Sequence, residues 1–286
     1  LEKGAEVIVV STGNSNWYEI DLGINEKSYT SSKFLELDND TLSMNDVVTV
    51  SKKAWKTGGS KMFIEVGKKI KVSDLLQGII TSSGNDASVA LSEHISGDEE
   101  TFSIYMNQVA ANMGLKNTNY VNSTGLPNDK LYTSAEDIAV LSRNLIRDFP
   151  KMYKLYSRTE YVFNDIKQYS RNKLLYVDDS VDGIKTGFTK KAGYCLVSSA
   201  KRGNRRLIAV VMGAKSPDQR TTVSKSLLEY GFRFYETHKI YEIGDVVTKA
   251  RIFDGEKREI ELGVSESAYI SIPRQLIKKI KNRFVV

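Results

Sequence analysis

Val181-Asp-Gly-Ile-Lys-Thr-Gly-Phe-Thr189 leads into Gly193-Tyr-Cys-Leu-Val-Ser-Ser-Ala200 and then Leu207-Ile-Ala-Val-Val-Met-Gly-Ala214. The last two runs are short, apolar and rich in Val and Ile. Lys201-Arg202-Gly203-Asn204-Arg205 joins them, so they read as neighbouring antiparallel strands at the middle of a sheet. Ahead of them, Lys185-Thr186-Gly187 sets a cation, a hydroxyl and a residue without a Cβ at the start of a strand. A peptide lying against that backbone would meet a ledge suited to a carboxylate. Taken alone, three such residues would read as a surface turn.

They are not alone. Thr81-Ser82-Ser83-Gly84-Asn85-Asp86 is a polar cluster between two helical patterns, Leu75, Leu76, Ile79, Ile80 before it and Val89, Ala90, Leu91, Ile95 after it. Ser-x-Asn followed at long range by Lys-Thr-Gly is the pattern of penicillin-recognising serine enzymes. Further matches, in order, are Ala54-Trp-Lys-Thr-Gly-Gly-Ser60, Gly114-Leu-Lys-Asn-Thr118, Ser123-Thr-Gly-Leu-Pro127 and Val181-Asp-Gly-Ile-Lys-Thr-Gly187. From about Val47 to the C-terminus the chain resembles the D-alanyl-D-alanine carboxypeptidases, the low-molecular-mass penicillin-binding proteins of the bacterial cell envelope.

Composition bounds the alternatives. The chain has 286 residues, 41% hydrophobic, ample for one large domain and a small one, and its composition does not signal disorder. No apolar run reaches 18 residues, no signal-peptide core is visible and the first residue is Leu1, so a processed or trimmed piece is expected. The net charge of +6 comes from basic residues spread among 35 acids. That pattern reads as a solvated basic surface rather than a nucleic-acid site. Arg274 to Arg283 is the stretch best suited to anionic wall polymers or lipid headgroups. The one cysteine, Cys195, sits in a strand pattern and reads as a small core residue. His94 and His238 read as bystanders, and with one Cys they leave little for a Cys/His zinc site or a Ser-His-Asp triad.

Along the chain, Ala5 to Val10 and Trp17 to Leu22 read as a strand pair at the sheet edge, with the bend at Thr12 to Asn16. Gly23 to Asn45 carries the least likeness to the family. Ser73 is the expected N-cap of a helix over 74–80, and Asn85 or Asp86 that of a helix through Ile95. Phe102, Tyr105, Met106, Val109, Ala110 and Met113 form one helix face ended by Gly114. Thr133-Ser134-Ala135-Glu136 reads as a capping box whose helix stops at Pro150. A helix over 219–235 closes a main domain of residues 1–239. Short strand patterns then give a small β domain, 240–286, shorter than in the resembling proteins, which often end in an amphipathic membrane anchor.

The resemblance implies an α/β main domain of the β-lactamase/transpeptidase-like type, an antiparallel sheet covered by helices, followed by a small β domain. It implies no cofactor and no metal. It also implies hydrolysis of the terminal D-Ala-D-Ala bond of peptidoglycan pentapeptides through an acyl-serine, with β-lactam antibiotics trapped by the same serine. The protein would then act in the cell envelope, outside the cytoplasm, with peripheral membrane association through a C-terminal anchor. Ser83 would match the family's proton-relay serine, Asn85 its substrate-amide-binding asparagine, and Lys185 and Thr186 the groups that hold the substrate carboxylate. Gly187 belongs to the same ledge, the backbone N–H of Phe188 resembles an oxyanion donor, and Arg220 is a further carboxylate partner by position.

One element of the family is missing where it belongs. A lysine one helical turn from the serine serves as its base, because positions i and i+3 share a helix face. The Ser-x-x-Lys matches in this sequence, Ser170 to Lys173 and Ser198 to Lys201, lie downstream of Ser-x-Asn and read as chance. Upstream, Thr30-Ser31-Ser32-Lys33 offers Ser32 and Lys33, without the required spacing. Three readings stay open: a segment missing from this sequence, a catalytically degenerate homologue that binds wall peptides, or a divergent nucleophile. A class A β-lactamase is less well matched, since no Glu-x-x-Leu-Asn segment is present.

Overall fold

A computed structural model describes residues 7–13, 42–253, 258–265 and 267–276. The expected strand 17–22 and the Ser32 and Lys33 candidates lie outside the described residues.

In chain order the elements are β1 (Val7–Gly13), β2 (Val47–Thr49), α1 (Lys52–Lys56), β3 (Lys69–Lys71), α2 (Val72–Ser82), α3 (Asn85–Ser96), α4 (Glu99–Asn112), α5 (Ala135–Asp148) and α6 (Pro150–Tyr153). There follow β4 (Glu160–Phe163), β5 (Ile166–Tyr169), β6 (Val181–Thr189), β7 (Gly193–Arg202), β8 (Arg205–Ala214), α7 (Pro217–Phe234) and the strands β9 (Tyr235–Tyr241), β10 (Val246–Arg251), β11 (Glu259–Gly263) and β12 (Ala268–Pro273).

The main sheet has the order β1-β8-β7-β6, with every neighbouring pair antiparallel. Its middle is the β7–β8 hairpin, turned at Gly203 and Asn204, with Gly203 at φ +57. Both faces of β8 are buried, which explains its unbroken apolar run. Leu207 and Ala209 pack with Leu228 and Phe232 of α7 on one face. Ile208 and Val210 pack with Ala135 and Ala139 of α5 on the other. β1 pairs with β8 from Val7↔Val211 to Gly13↔Arg205, so the strand runs through Gly13, past the bend expected at Thr12. On the far side, β6 is the outer strand among the described residues, and its edge borders the helical layer.

That layer has a separate core in which Val48, Met62, Val72, Leu75 and Val89 are buried together. Its helix ends differ from the sequence expectations. α2 starts at Val72 with Lys71 as the cap residue and no side-chain cap. Main-chain carbonyls do the capping instead, Asp46 O accepting from Val72 N and Met44 O from Ser73 N, so Ser73 is not the cap. The N-cap of α3 is Gly84 rather than Asn85 or Asp86. In α5 the capping residue is Ser134, whose side chain accepts from Asp137 N. Pro150 begins α6 as well as ending the run of α5.

Beyond α7 the chain passes without a break into β9, which pairs with β12, while β10 pairs with β11. Among the described residues no helix is long and apolar enough to cross a membrane.

Candidate active site

The site lies where the outer edge of β6 meets the junction of α2 and α3. Ser83 ends α2 with φ 58 and ψ 41, a left-handed conformation uncommon for a residue with a Cβ. Such a conformation is held in place only by its surroundings. Here α3 begins at Asn85, whose main-chain N–H donates to Ser60 O at 2.8 Å and whose side-chain amide donates to Gly58 O at 2.8 Å. Asp86 is fully buried and collects four main-chain N–H groups, those of Met62, Phe63, Ile64 and Ala87, at 2.8 to 3.2 Å. This carboxylate pins the segment around Ser60 against the start of α3, and with it the position of Ser83 and Asn85.

From the sheet side comes Lys185. Its ammonium donates to the Ser83 hydroxyl and, at 3.1 Å, to Thr186 O. Two residues of the sequence pattern, 102 positions apart, are thus in direct contact. Burial pushes the lysine down to about 8 from its ordinary 10.5, and the positive charges of Arg171 and Arg220 push in the same direction. Thr186 is half-buried, while Gly187 and Phe188 are exposed.

Arg220, the further carboxylate partner suggested by its position in the sequence, is largely buried. It is 6% exposed, and its guanidinium donates to Gly187 O, Cys195 O and Arg171 O, each at 3.3 Å. Through these three main-chain carbonyls Arg220 ties β6, β7 and the segment before residue 173 together. Burial draws its pKa down. The exposed guanidinium beside the lysine belongs to Arg171, which donates to Ser60 Oγ at 2.6 Å. No sequence pattern marked Arg171. It is brought in by Asn172, which is buried and donates to Gly183 O at 3.1 Å, two residues before Lys185.

Cys195 is also misplaced by the sequence reading. It is half-buried rather than a core residue, standing opposite Gly187, which brings no side chain, in the β6–β7 register. His94 is exposed on α3, and His238 pairs with Glu236 at 2.9 Å in β9. The two downstream Ser-x-x-Lys matches are not serine–base pairs. Ser198 is fully buried in β7, where positions i and i+3 point to opposite faces, and Lys173 pairs with Asp218 at 2.6 Å.

The site makes a pH prediction. A lysine whose folded pKa lies below its unfolded value costs stability wherever both states hold the proton, below pH 8 here. Between about 8 and 10.5 the unfolded chain binds more protons, so the cost is relieved as pH rises. In urea unfolding, wild-type stability relative to Lys185→Gln should therefore rise by about 2 kcal/mol between pH 7.5 and 9.5, at about 1.4 kcal/mol per pH unit. A flat difference would mean that Lys185 is solvated as an ordinary surface lysine.

Known proteins share this arrangement of elements. A family model described as D-alanyl-D-alanine carboxypeptidase matches residues 34–216, and one described as penicillin-binding protein 5, C-terminal domain, matches 235–286. The first match begins just after Lys33. The chain is 43% identical over 244 residues to the D-alanyl-D-alanine carboxypeptidase DacA of Haemophilus influenzae, covering 84% of this chain and 62% of that protein. It is 41% identical over 238 residues to DacF of Bacillus subtilis, covering 80% and 60%. It thus spans about three fifths of the length of these curated relatives. Among solved structures, penicillin binding protein 5 from Haemophilus influenzae superposes with a TM-score of 0.80 at 42% identity, covering 84% of this chain and 71% of that one. Penicillin-binding protein D2 from Listeria monocytogenes, solved in an ampicillin-bound form, gives 0.61 at 29% identity, covering 68% and 79%. With the fold, the extent of the match and the joined Ser-x-Asn and Lys-Thr-Gly elements together, the chain belongs to the D-alanyl-D-alanine carboxypeptidase family.

Proposed function

We propose that the site at β6 recognises, outside the cytoplasm, the acyl-D-Ala-D-Ala terminus of peptidoglycan stem peptides and the β-lactams that mimic it, and that turnover as a serine-type D-Ala-D-Ala carboxypeptidase requires a Ser-x-x-Lys pair that this sequence does not carry at the family's spacing. The observation that carries this reading is the contact of Lys185 with Ser83 at the open edge of β6, within the field of Arg171. An edge strand offers main-chain N–H and C=O groups to an extended peptide. Lys185, Thr186 and the exposed Arg171 would hold the terminal carboxylate, with Arg220 acting behind them through the carbonyls it fixes. Gly187 leaves the ledge open for close approach, and Phe188 N–H would face the developing oxyanion. Asn85 would meet the substrate amide. Ser83, joined to Lys185, would pass the proton that returns to the leaving D-Ala amine. The acylated serine is not among these residues; Ser32, with Lys33, is the upstream candidate.

The second reading, a homologue that binds wall peptides without cleaving them, is favoured by one fact alone: the sequence has no Ser-x-x-Lys upstream of Ser83. Both readings share the binding step. Calorimetry with an acyl-D-Ala-D-Ala peptide should show about a tenfold to hundredfold loss of affinity for Lys185→Ala, as befits a charge-assisted contact worth about 1.5 to 3 kcal/mol. Unchanged affinity in a folded Lys185→Ala chain would remove the site assignment. Release of D-Ala from the peptide separates the enzyme from the binder.

A further inference from the structure

Next to the Lys-Thr-Gly ledge, Phe188 is 55% exposed, a large apolar ring open to solvent at the end of β6. Its ring is stacked on Tyr194 of β7, with centroids 4.2 Å apart and planes 29° from parallel, and the two residues are cross-strand partners. The Arg220 guanidinium lies 5.7 Å from the Tyr194 ring while it holds the carbonyls of Gly187 and Cys195. The aromatic pair is therefore fixed from behind and open in front. Within β6, Phe188 projects to the same side as Thr186.

A second apolar group comes from the helical layer. A methyl built on Gly59 would stand 2.6 Å from Asn85 Nδ2 and 3.7 Å from Leu126 Cδ2, so Leu126 lies beside Asn85. Leu126 is 38% exposed, on a turn tied by Asn122, whose amide donates to Leu126 O and whose oxygen accepts from Gly125 N. The same loop reaches the β6–β7 turn, where Asp129 and Lys191 stand 3.5 Å apart. Both are highly exposed, so the pair adds little energy, yet it shows that the loop and the turn draw together at this end of the site.

We propose that Phe188 and Tyr194, with Leu126 on the opposite rim, form a subsite for an apolar or aromatic group on the acyl side of the ligand, next to the D-Ala-D-Ala unit. This inference rests on the recognition reading above and goes beyond it by naming what selects among acyl-D-Ala-D-Ala ligands. The spacing fits. Two extended residues span about 7 Å, and Phe188 lies three residues along β6 from Lys185, about 10 Å of strand. A ligand with its carboxylate at Lys185 then brings the group attached to its amino end alongside residues 187–189. The plainer role of the stacked pair, cross-strand support of the hairpin, predicts no dependence on that group.

The test compares two ligands of the same core, acetyl-D-Ala-D-Ala and phenylacetyl-D-Ala-D-Ala, by calorimetry on wild type, Phe188→Ala and Phe188→Tyr. Wild type should bind the phenylacetyl ligand about fivefold to tenfold more tightly, the scale of one aromatic contact. Phe188→Ala should bring that ratio close to one, and Phe188→Tyr should keep it. Any loss common to both ligands, including a shift of the main-chain N–H, cancels in the ratio. A ratio unchanged in Phe188→Ala, or near one already in wild type, overturns the subsite while leaving the recognition reading intact. Failure of wild type to bind either ligand overturns both, whereas binding that is lost in Lys185→Ala but insensitive to Phe188→Ala overturns the subsite alone.

Discussion

Incubated with a fluorescent penicillin, the 286-residue chain should remain free of covalent label, whereas a version carrying a Ser-x-x-Lys helix between Lys27 and Phe34 should be labelled. Acylation by a β-lactam needs a serine oxygen, a base within hydrogen-bond reach and donors for the oxyanion. On the proposed reading, Phe188 N–H would supply the third element and the Ser83–Lys185 contact the relay. The sequence lacks the first two at the family's spacing. Groups that act as one unit lose nearly all turnover when one member is absent, so the expected contrast is close to all or none. Peptide mapping makes the result specific. A label on Ser28, Ser31 or Ser32 of the unmodified chain would establish a divergent nucleophile. A label on Ser83 would make the Ser83–Lys185 pair nucleophile and base in its own right. Either result would overturn the expectation of an unlabelled chain.

Asp86→Ala should be the most destabilising single change near the site, by roughly 3 to 5 kcal/mol. The carboxylate is fully buried and accepts four main-chain N–H groups. Removing it leaves those four donors, three of them in buried bonds, without their acceptor, at about 1 to 3 kcal/mol for a buried unsatisfied group, partly offset by relaxation. Phe63 is held at φ 69, an unfavourable conformation for an aromatic residue, and one of these four bonds holds it. Urea unfolding measures the loss, which is large beside a total stability of about 5 to 15 kcal/mol. Asp86→Asn retains one acceptor oxygen and should fall between the two. A loss below about 1 kcal/mol in Asp86→Ala would mean that the segment 62–64 is held by packing alone.

What the linear order of residues determined was the local architecture and its most compact motif. The apolar runs of β7 and β8, the polar connection Lys201 to Arg205 and the Lys-Thr-Gly ahead of them specify a hairpin with an adjoining strand, because strand pairing between neighbours depends on side-chain pattern and turn chemistry that lie within reach along the chain. The helices around Ser83 were legible for the same reason, although their caps were not. Carbonyls of residues 44 and 46 cap α2, and no propensity of Ser73 could reveal that.

The tertiary structure alone decided how the two guanidinium groups near Lys185 are held. Arg220 and Arg171 are the same chemical group, and the sequence favoured the first. Burial committed Arg220 to three carbonyls, and the bond from Asn172 to Gly183 carried Arg171 to the exposed side of Lys185. In the same way, Asp86 looked like a cap and is a buried acceptor for a segment 22 to 24 residues away. The physical reason is common to all three: desolvation and hydrogen-bond satisfaction depend on every group that surrounds a side chain in space, and few of those groups are its neighbours in sequence.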